Sequence, residues 1–407
     1  MRFQSYFNHA LTLTGGYDGR MPLSHYLKKY FAENSKHGST DRKMIAHLCY
    51  SFYRLGHSLK DHPPAERMKI ALFLCADDLT KWSALFDGEG LMEPAAEAAM
   101  EPDPTISDLN SRIARVQQQY PSFAIEDIFP WKDQLSDGID HYSFCLSFLR
   151  QPDLFLRIRP GHEKEVLQKL ATKSPPLQFH QFIPPFTLRL PNGFKTEEFF
   201  TPDKEIVIQD YSSQRLASFL RLPEIDSSAS PRRSIWDACA ASGGKSILAH
   251  DLDPKIDITV SDIRASILHN LDRRFRVAGI KNYHSFVADL TLSAPLPGIP
   301  NPFGLILADA PCTGSGTWSR TPEELYFFDP AKIDAYRATQ EKILSRLIPH
   351  LGKRAFLVYS TCSVFKKENE EMTAFIRDSL GLRLERMETI TGIDDRADTM
   401  FAALFTS

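Results

Sequence analysis

Residues 303–310 read F-G-L-I-L-A-D-A and close on Pro311-Cys312-Thr313-Gly314-Ser315-Gly316. An apolar run of this length, ended by turn-forming residues, predicts a strand buried on both faces. A second run, R-A-F-L-V-Y-S over 354–360, closes on Thr361-Cys362-Ser363. Strands of this kind belong to parallel sheets covered by helices, and ligands of such sheets bind beyond the carboxyl ends of the strands. Cys312 and Cys362 therefore face one crevice. Two thiols in one crevice point to covalent chemistry.

From residue 234 onward, strand-like runs alternate with helical periods, the pattern of a doubly wound, mostly parallel α/β sheet. Strands are expected near 235–238, 258–261, 285–288, 303–308 and 355–360. Helices are expected near 246–251, 264–278, 330–349 and 367–379, and M-F-A-A-L-F at 400–405 reads as a last buried strand. Upstream, 154–158 alternates like a strand, 161–170 is helical, 186–190 is a strand and 210–221 is helical again. Pro175-Pro176 and Pro184-Pro185 mark connecting loops, and the Ser/Pro-rich 223–231 marks a boundary. The start of the chain reads as all-helical. Ser39-Thr40 can cap a helix in which Met44, Ile45, Leu48, Cys49 and Phe52 recur with a 3.6 period as far as Gly56. Residues 65–76 and 106–119 repeat that pattern, and the acidic 87–104 reads as an exposed loop. Three domains are expected: helical 1–138, small α+β 139–230 and α/β 231–407.

A chain of 407 residues with 43% hydrophobic content can bury several cores, and no apolar stretch approaches a membrane span. The formal charge is −3, but residues 77–108 hold nine acids and one lysine, which leaves +5 over the rest. Basic clusters lie at Lys28-Lys29, Arg157/Arg159, Arg232-Arg233, Arg273-Arg274-Arg276 and Lys366-Lys367. This distribution permits RNA binding without requiring it, since any one cluster can be a solvated helix face. The six cysteines form no C-x-x-C, and no His/Cys cluster has zinc spacing, so no metal is expected. With no secretory segment at the start, free thiols and a reducing cytoplasm are the expectation. Cys49, Cys75 and Cys145 read as small core residues.

The first α/β strand runs into Asp237-Ala238-Cys239-Ala240-Ala241-Ser242-Gly243-Gly244-Lys245. Paired glycines at such a turn let the backbone approach a ligand. The loop is not G-x-G-x-x-G, and Cys239 stands where a phosphate loop needs its first glycine, so neither a dinucleotide nor a nucleoside triphosphate is indicated. Asp262, 18 residues after Gly244, ends the second strand where a carboxylate can accept ribose hydroxyls. Asp289 ends the third, within reach of an adenine. Any of these aspartates alone could be a helix cap. Together they suit S-adenosylmethionine, which has an adenosine but no phosphate.

These stretches (D-A-C-A-A-S-G-G-K, S-D-I, D-A-P-C-T-G-S-G, and Y-S-T-C-S followed by K-E-N-E) resemble the RsmB/NSun family of RNA 5-methylcytosine methyltransferases, of the bacterial ribosomal-RNA type. The resemblance covers about 140–407. It implies a Rossmann-like class I methyltransferase domain that binds S-adenosylmethionine through 239–245, Asp262, Asp289 and Asp309. It further implies that Cys362 attacks cytosine C6, that Cys312 assists proton removal and release, and that Asp309 holds the N3 edge. A thiolate is needed because cytosine C5 is too poor a nucleophile unaided. Ser242 departs from the family's usual proline, which predicts a looser loop and weaker cofactor binding. Lys245 can line the active-site side of the loop or be a solvated helix-start lysine. Arg320 can meet an RNA phosphate or be an ordinary surface arginine.

The helical start, with Asp41-Arg42-Lys43, Cys49-Tyr50 and Arg54-Leu55-Gly56, resembles a NusB-like RNA-binding domain. The middle segment, with Gln209-Asp210 and Ser213-Gln214, resembles a small RNA-recognition-motif-like insertion. Ribosomal RNA is the expected partner and a monomer the expected state. Competing readings are a transfer-RNA enzyme of the same family, a catalytically decayed assembly factor and a nucleotide-dependent oxidoreductase. The first cannot be separated by sequence. The second is opposed by the joint presence of Asp262, Asp289, Asp309, Cys312 and Cys362, and the third lacks a dinucleotide fingerprint.

Overall fold

The computed structural model describes residues 2–86, 109–172, 180–182, 186–221, 234–296, 298–299 and 302–407. The expected loops at 87–104, 175–176 and 184–185, the boundary at 223–231 and Arg232-Arg233 lie outside the described residues. The chain divides into two compact units: Met1–Asp133, Asp140–Gln151 and Trp318–Asp329 form the first, Gln134–Ile139, Pro152–Thr317 and Pro330–Ser407 the second.

The first unit is helical: α1 (Arg2–Gly16), α2 (Leu23–Glu33), α3 (Ser39–Arg54), α4 (Pro64–Cys75), α5 (Leu109–Gln119) and α6 (His141–Phe148). Ile45, Leu48, Cys49 and Phe52 do face its core. The cap of α3 is Gly38 rather than Ser39-Thr40, because the Asp41 carboxylate reaches back to accept the Gly38 N–H at 2.9 Å. Buried arginines tie helix ends together: Arg112 donates to the Ala76 carbonyl at 2.6 Å and Arg67 to that of Gly56 at 2.8 Å. Such carbonyls have no partner within their own helix, so a guanidinium among them satisfies several at once.

The second unit opens with β1 (Leu154–Ile158), α7 (Glu163–Ala171), β2 (His180–Phe182), β3 (Thr187–Leu190) and β4 (Ile206–Ile208), an antiparallel sheet of order β2-β3-β1-β4. Two short helices follow, α8 (Tyr211–Arg215) and α9 (Ala217–Leu220), where a single helix was expected. The main sheet comes next: β5 (Ser234–Asp237), α10 (Gly244–Leu252), β6 (Asp257–Asp262), α11 (Ala265–Ala278), β7 (Tyr283–Val287) and β8 (Phe303–Asp309). The chain then visits the first unit with α12 (Pro322–Tyr326). It returns as α13 (Ala331–Leu347), β9 (Leu351–Thr361), α14 (Glu370–Asp378), β10 (Arg383–Ile390) and β11 (Met400–Thr406). The seven strands lie in the order β10-β11-β9-β8-β5-β6-β7. β7 through β9 are parallel, and β11 and β10 add an antiparallel edge.

Period-two alternation explains the layers. Ile235, Val260, Leu305, Leu307 and Val358 enter one core with α10 and α11. Trp236, Ile306, Ala308, Leu357 and Tyr359 enter the other with α13 and α14. β10 was not expected, because Arg383, Glu385, Arg386 and Glu388 hide an edge strand behind charge.

Two differences from the expected domains have physical causes. Arg157 and Arg159, on β1 and just beyond it, both bind the Asp251 carboxylate of α10, which joins the small sheet to the α/β domain in one unit. They are buried, so this cluster is neither a solvated face nor an RNA contact. Trp318–Asp329 folds with the helical unit, where Leu23 N–H donates to Glu323 at 3.0 Å, Arg54 donates to the Ser319 carbonyl at 3.0 Å and Trp131 meets Phe328 edge-on. Arg320 belongs to this segment.

Candidate active site

The switch point of the sheet lies between β5 and β8, from which neighbours run in opposite directions. The loop after β5 enters α10 through Ala241 and Gly243, both left-handed at φ 47° and 82°. A Cβ on Gly243 would lie 2.8 Å from the Phe275 ring and 2.9 Å from Leu271, so glycine is required there. Ser242 is anchored from outside: Arg274 Nη1 donates to its carbonyl at 2.8 Å and to its hydroxyl at 2.9 Å, while Asp203 holds Arg274 through both carboxylate oxygens. The loop without proline is therefore cross-braced. Asp237 is buried beneath it, with Oδ2 accepting from Ser246 at 2.6 Å and Oδ1 without a partner. Burial pushes its carboxyl up to about 7, against the pull of the Ser246 bond.

Asp262 ends β6 and accepts the Ala241 N–H at 3.0 Å and the Arg264 N–H at 2.9 Å, along with the Arg264 guanidinium. Burial disfavours its charge, but the Arg264 bonds outweigh that and hold the carboxyl low. Asp289 lies two residues beyond β7, where Oδ1 accepts the N–H and hydroxyl of Thr291 at 2.9 and 2.6 Å. Among the described residues no bond links it to the rest of the site. Cys239 is half-buried, and burial raises its thiol. Ala240 carries backbone, donating its N–H to the Ser261 carbonyl at 2.9 Å.

Lys245 Nζ lies 2.7 Å from Asp309 Oδ2, and the Ser360 hydroxyl donates to Oδ1 at 2.8 Å. Burial opposes the Lys245 charge, but Asp309 and the nearby Cys362 sulfur outweigh it and hold the ammonium above its ordinary range. The loop after β8 and the loop after β9 meet beside this pair, with the Cys312 and Cys362 sulfurs 3.4 Å apart and both cysteines free. The hydrogen bond to Cys362, burial and the Cys362 and Glu368 charges push the Cys312 thiol well up. Gly316 lets the loops close: its N–H donates to the Cys362 carbonyl at 2.8 Å, and a Cβ would sit 2.0 Å from the Thr399 carbonyl.

Thus Lys245, Asp309, Cys312 and Cys362 come together, the glycine loop and Asp262 adjoin each other, and Asp289 stands apart. Sequence reading named Arg274 only within a basic cluster and Asp203 not at all, and it gave Glu368 and Asn369 no role inside the quoted K-E-N-E. Asn369 receives the Thr361 hydroxyl at 2.6 Å and donates to the Ser136 hydroxyl at 2.7 Å and the Ser363 carbonyl at 2.9 Å. A Glu-Asn pair just before a helix and six residues after a strand-end cysteine was the available signal. Among the described residues no group of His, Cys, Asp or Glu could hold a metal ion, and no helix is long and apolar enough to cross a membrane.

Residues 228–400 match the family model described as 16S rRNA methyltransferase RsmB/F. They form an RsmB/F methyltransferase domain. The chain is also 31% identical over 255 residues to the probable ribosomal RNA small subunit methyltransferase B of Synechocystis sp., covering 60% of this chain and 54% of that protein. It is 32% identical over 182 residues to the probable ribosomal RNA small subunit methyltransferase B of Bacillus subtilis, covering 44% and 39%. The chain spans about half the length, or less, of the curated relatives it matches. Among solved structures, PH0851 shares the fold at a TM-score of 0.67 and 18% identity, covering 100% of this chain and 98% of that one. A methyltransferase homolog protein from Pyrococcus horikoshii does so at 0.54 and 20%, covering 67% and 92%.

Proposed function

We propose that this chain methylates cytosine at C5 in RNA, with S-adenosylmethionine as donor and ribosomal RNA as substrate, through a covalent adduct on Cys362. The observation that carries the reading is the pair of free thiols 3.4 Å apart at neighbouring strand ends, beside the Lys245–Asp309 pair. The residues fit the donor. Asp237 Oδ1 is a buried acceptor with no partner, and the Arg264 side chain over Asp262 is 59% exposed and displaceable. Ile263 beside it, 58% exposed, offers an apolar face to a flat base. S-adenosylmethionine, when bound, supplies an electrophilic methyl group.

The chain's own residues do the rest. Cys362 Sγ adds to C6 and moves the double-bond electron pair to C5, while Asp309 and Lys245 stabilise the charge that develops along the N3 edge. Cys312 holds its proton at rest because Cys362 lies beside it. Once the Cys362 sulfur is a neutral thioether, that bond and that charge vanish. The Cys312 thiol then loses its proton to solvent more readily. The resulting thiolate takes the C5 proton while the C6–S bond breaks and Cys362 leaves as a thiolate, which restores the C5–C6 double bond and frees the enzyme. The base is thus switched on by adduct formation. The helical unit, with a NusB-like role and exposed Lys28, Lys29, Arg42 and Lys43, and the small sheet, with an RNA-recognition-motif-like role, would grip the RNA and present an unstacked base.

The test is to express wild type, Cys312→Ala and the Cys312→Ala/Cys362→Ala double variant in bacteria and examine denaturing gels for protein-linked RNA. Cys312→Ala is expected to trap an adduct that the double variant loses, and the trapped RNA names the substrate. An adduct that persists without Cys362 overturns the assignment of the nucleophile.

A further inference from the structure

The loops that carry the two thiols converge on one carboxylate. Glu368 is fully buried in the short turn before α14. Its Oε1 accepts the Thr313 N–H at 2.9 Å and Gln340 Nε2 at 3.2 Å. Its Oε2 accepts the Thr313 hydroxyl at 2.6 Å and the Ser363 hydroxyl. Thr313 follows Cys312 and Ser363 follows Cys362, so each thiol sits one peptide bond from a residue held on Glu368.

Among the described residues no lysine, arginine or histidine pairs with Glu368. A buried carboxylate without a cation costs stability, and an amide or apolar side chain of similar volume would cost less. Burial indeed pushes its carboxyl up, with the Ser363 and Thr313 bonds pulling it part of the way back. Stability therefore does not account for the residue. Geometry does: only a carboxylate accepts from both loops at once while donating to neither. The Gly316–Cys362 backbone bond and the Ser315 hydroxyl, which accepts the Val364 N–H at 2.9 Å, would still join the loops without it, but Thr313 beside Cys312 would lose both of its bonds to the carboxylate.

We propose that Glu368 is the positioning residue of the thiol pair, fixing the separation and mutual orientation of Cys312 and Cys362 through Thr313 and Ser363. Its consequence for turnover rests on the function proposed above, whereas its consequence for the two sulfurs does not.

The experiment therefore reads the sulfurs directly. The full chain is equilibrated with mixtures of reduced and oxidised glutathione, in which the dithiol and one oxidised glutathione give the Cys312–Cys362 disulfide and two reduced glutathiones. Peptide mass spectrometry measures the fraction bridged. In Glu368→Gln the equilibrium constant is expected to fall about tenfold, a shift of about 30 mV. The circular dichroism spectrum and the binding of S-adenosylmethionine should stay those of wild type. On RNA, kcat should fall with KM unchanged. A constant within about twofold of wild type overturns the proposal. Should Glu368→Gln fail to fold, Thr313→Val and Ser363→Ala each release one loop. Each should lower the constant about threefold, or about 15 mV, and no change in either also overturns it. A shifted constant in a chain that transfers no methyl group upholds the positioning role and sinks the proposed function. Methyl transfer with an unshifted constant does the reverse.

Discussion

The glycine loop after β5 is held by charge, with Arg274 bridging Ser242 to Asp203 at 17% and 16% side-chain exposure. The thiol loops after β8 and β9 are held instead by buried hydroxyls, amides and one carboxylate, in which Glu368, Asn369, Ser363 and Gln340 have no exposed surface. The first brace keeps some contact with water, so salt screens it in part. The second is desolvated, so each missing partner leaves others unsatisfied and the network fails as a unit. The contrast suits the two tasks. A cofactor must enter and leave in every cycle, whereas the two sulfurs, in the mechanism proposed above, must act on one base in turn and keep their separation.

The largest expected effect tests the buried side. Asn369→Ala removes the partner of Thr361, Ser136 and the Ser363 carbonyl together. Stability should drop by about 2–4 kcal/mol. The melting temperature should fall by roughly 5–15 °C, read by calorimetry. A shift under about 2 °C would show that the network is not cooperative, and the contrast would break.

A smaller effect tests the glycine loop. Asp237 has a folded pKa of about 7 against about 3.9 for a free aspartate. Between pH 4 and 7 the unfolded chain has released a proton that the folded chain retains, so stability falls as pH rises through that window. Asp237→Asn has no such proton. Its melting temperature should decline less than that of wild type between pH 5 and 7.5, and saturating S-adenosylmethionine, by supplying a donor to Asp237, should flatten the wild-type slope. Parallel slopes would mean that the carboxylate is already compensated.

The α/β domain was legible because both of its periods are written locally. Apolar runs such as 303–308, closed by turn-forming residues, read as strands covered on both faces, and 264–278 carries an uninterrupted helical stripe. The strand-end cysteines followed from those runs. What escaped depends on distance along the chain. Arg157 and Arg159 look like a basic surface until Asp251, more than ninety residues on, pairs with both and buries them. Ser242 looks like a lost proline until Arg274 is placed over it. The segment Trp318–Asp329 reads as part of the α/β domain, yet Trp318, Leu325 and Phe328 are buried in the helical unit. A truncation at the sequence boundary near 138 would strip those side chains of their cover. Removing the N-terminal region is thus a test of folding before it is a test of RNA binding.

The smallest effect sharpens the charged side of the contrast. Arg274→Ala frees Ser242 and leaves Asp203 without its partner, so the loop loses its outer brace while the bonds of Asp262 and Ser246 persist. Titration calorimetry should show S-adenosylmethionine bound about tenfold more weakly, or about 1.4 kcal/mol. Raising salt from about 0.1 to 1 M should narrow the gap to wild type, because the brace it removes is itself screened. Ser242→Ala keeps the carbonyl bond to Arg274 and loses only the hydroxyl bond. Its affinity should fall about twofold to fivefold, the worth of one partly exposed hydrogen bond. Ser242→Pro gives up the same bond but restricts the backbone, so it should bind more tightly than Ser242→Ala. If Arg274→Ala binds like wild type, the loop is rigid by backbone alone, and the two sides of the crevice are held by the same means after all.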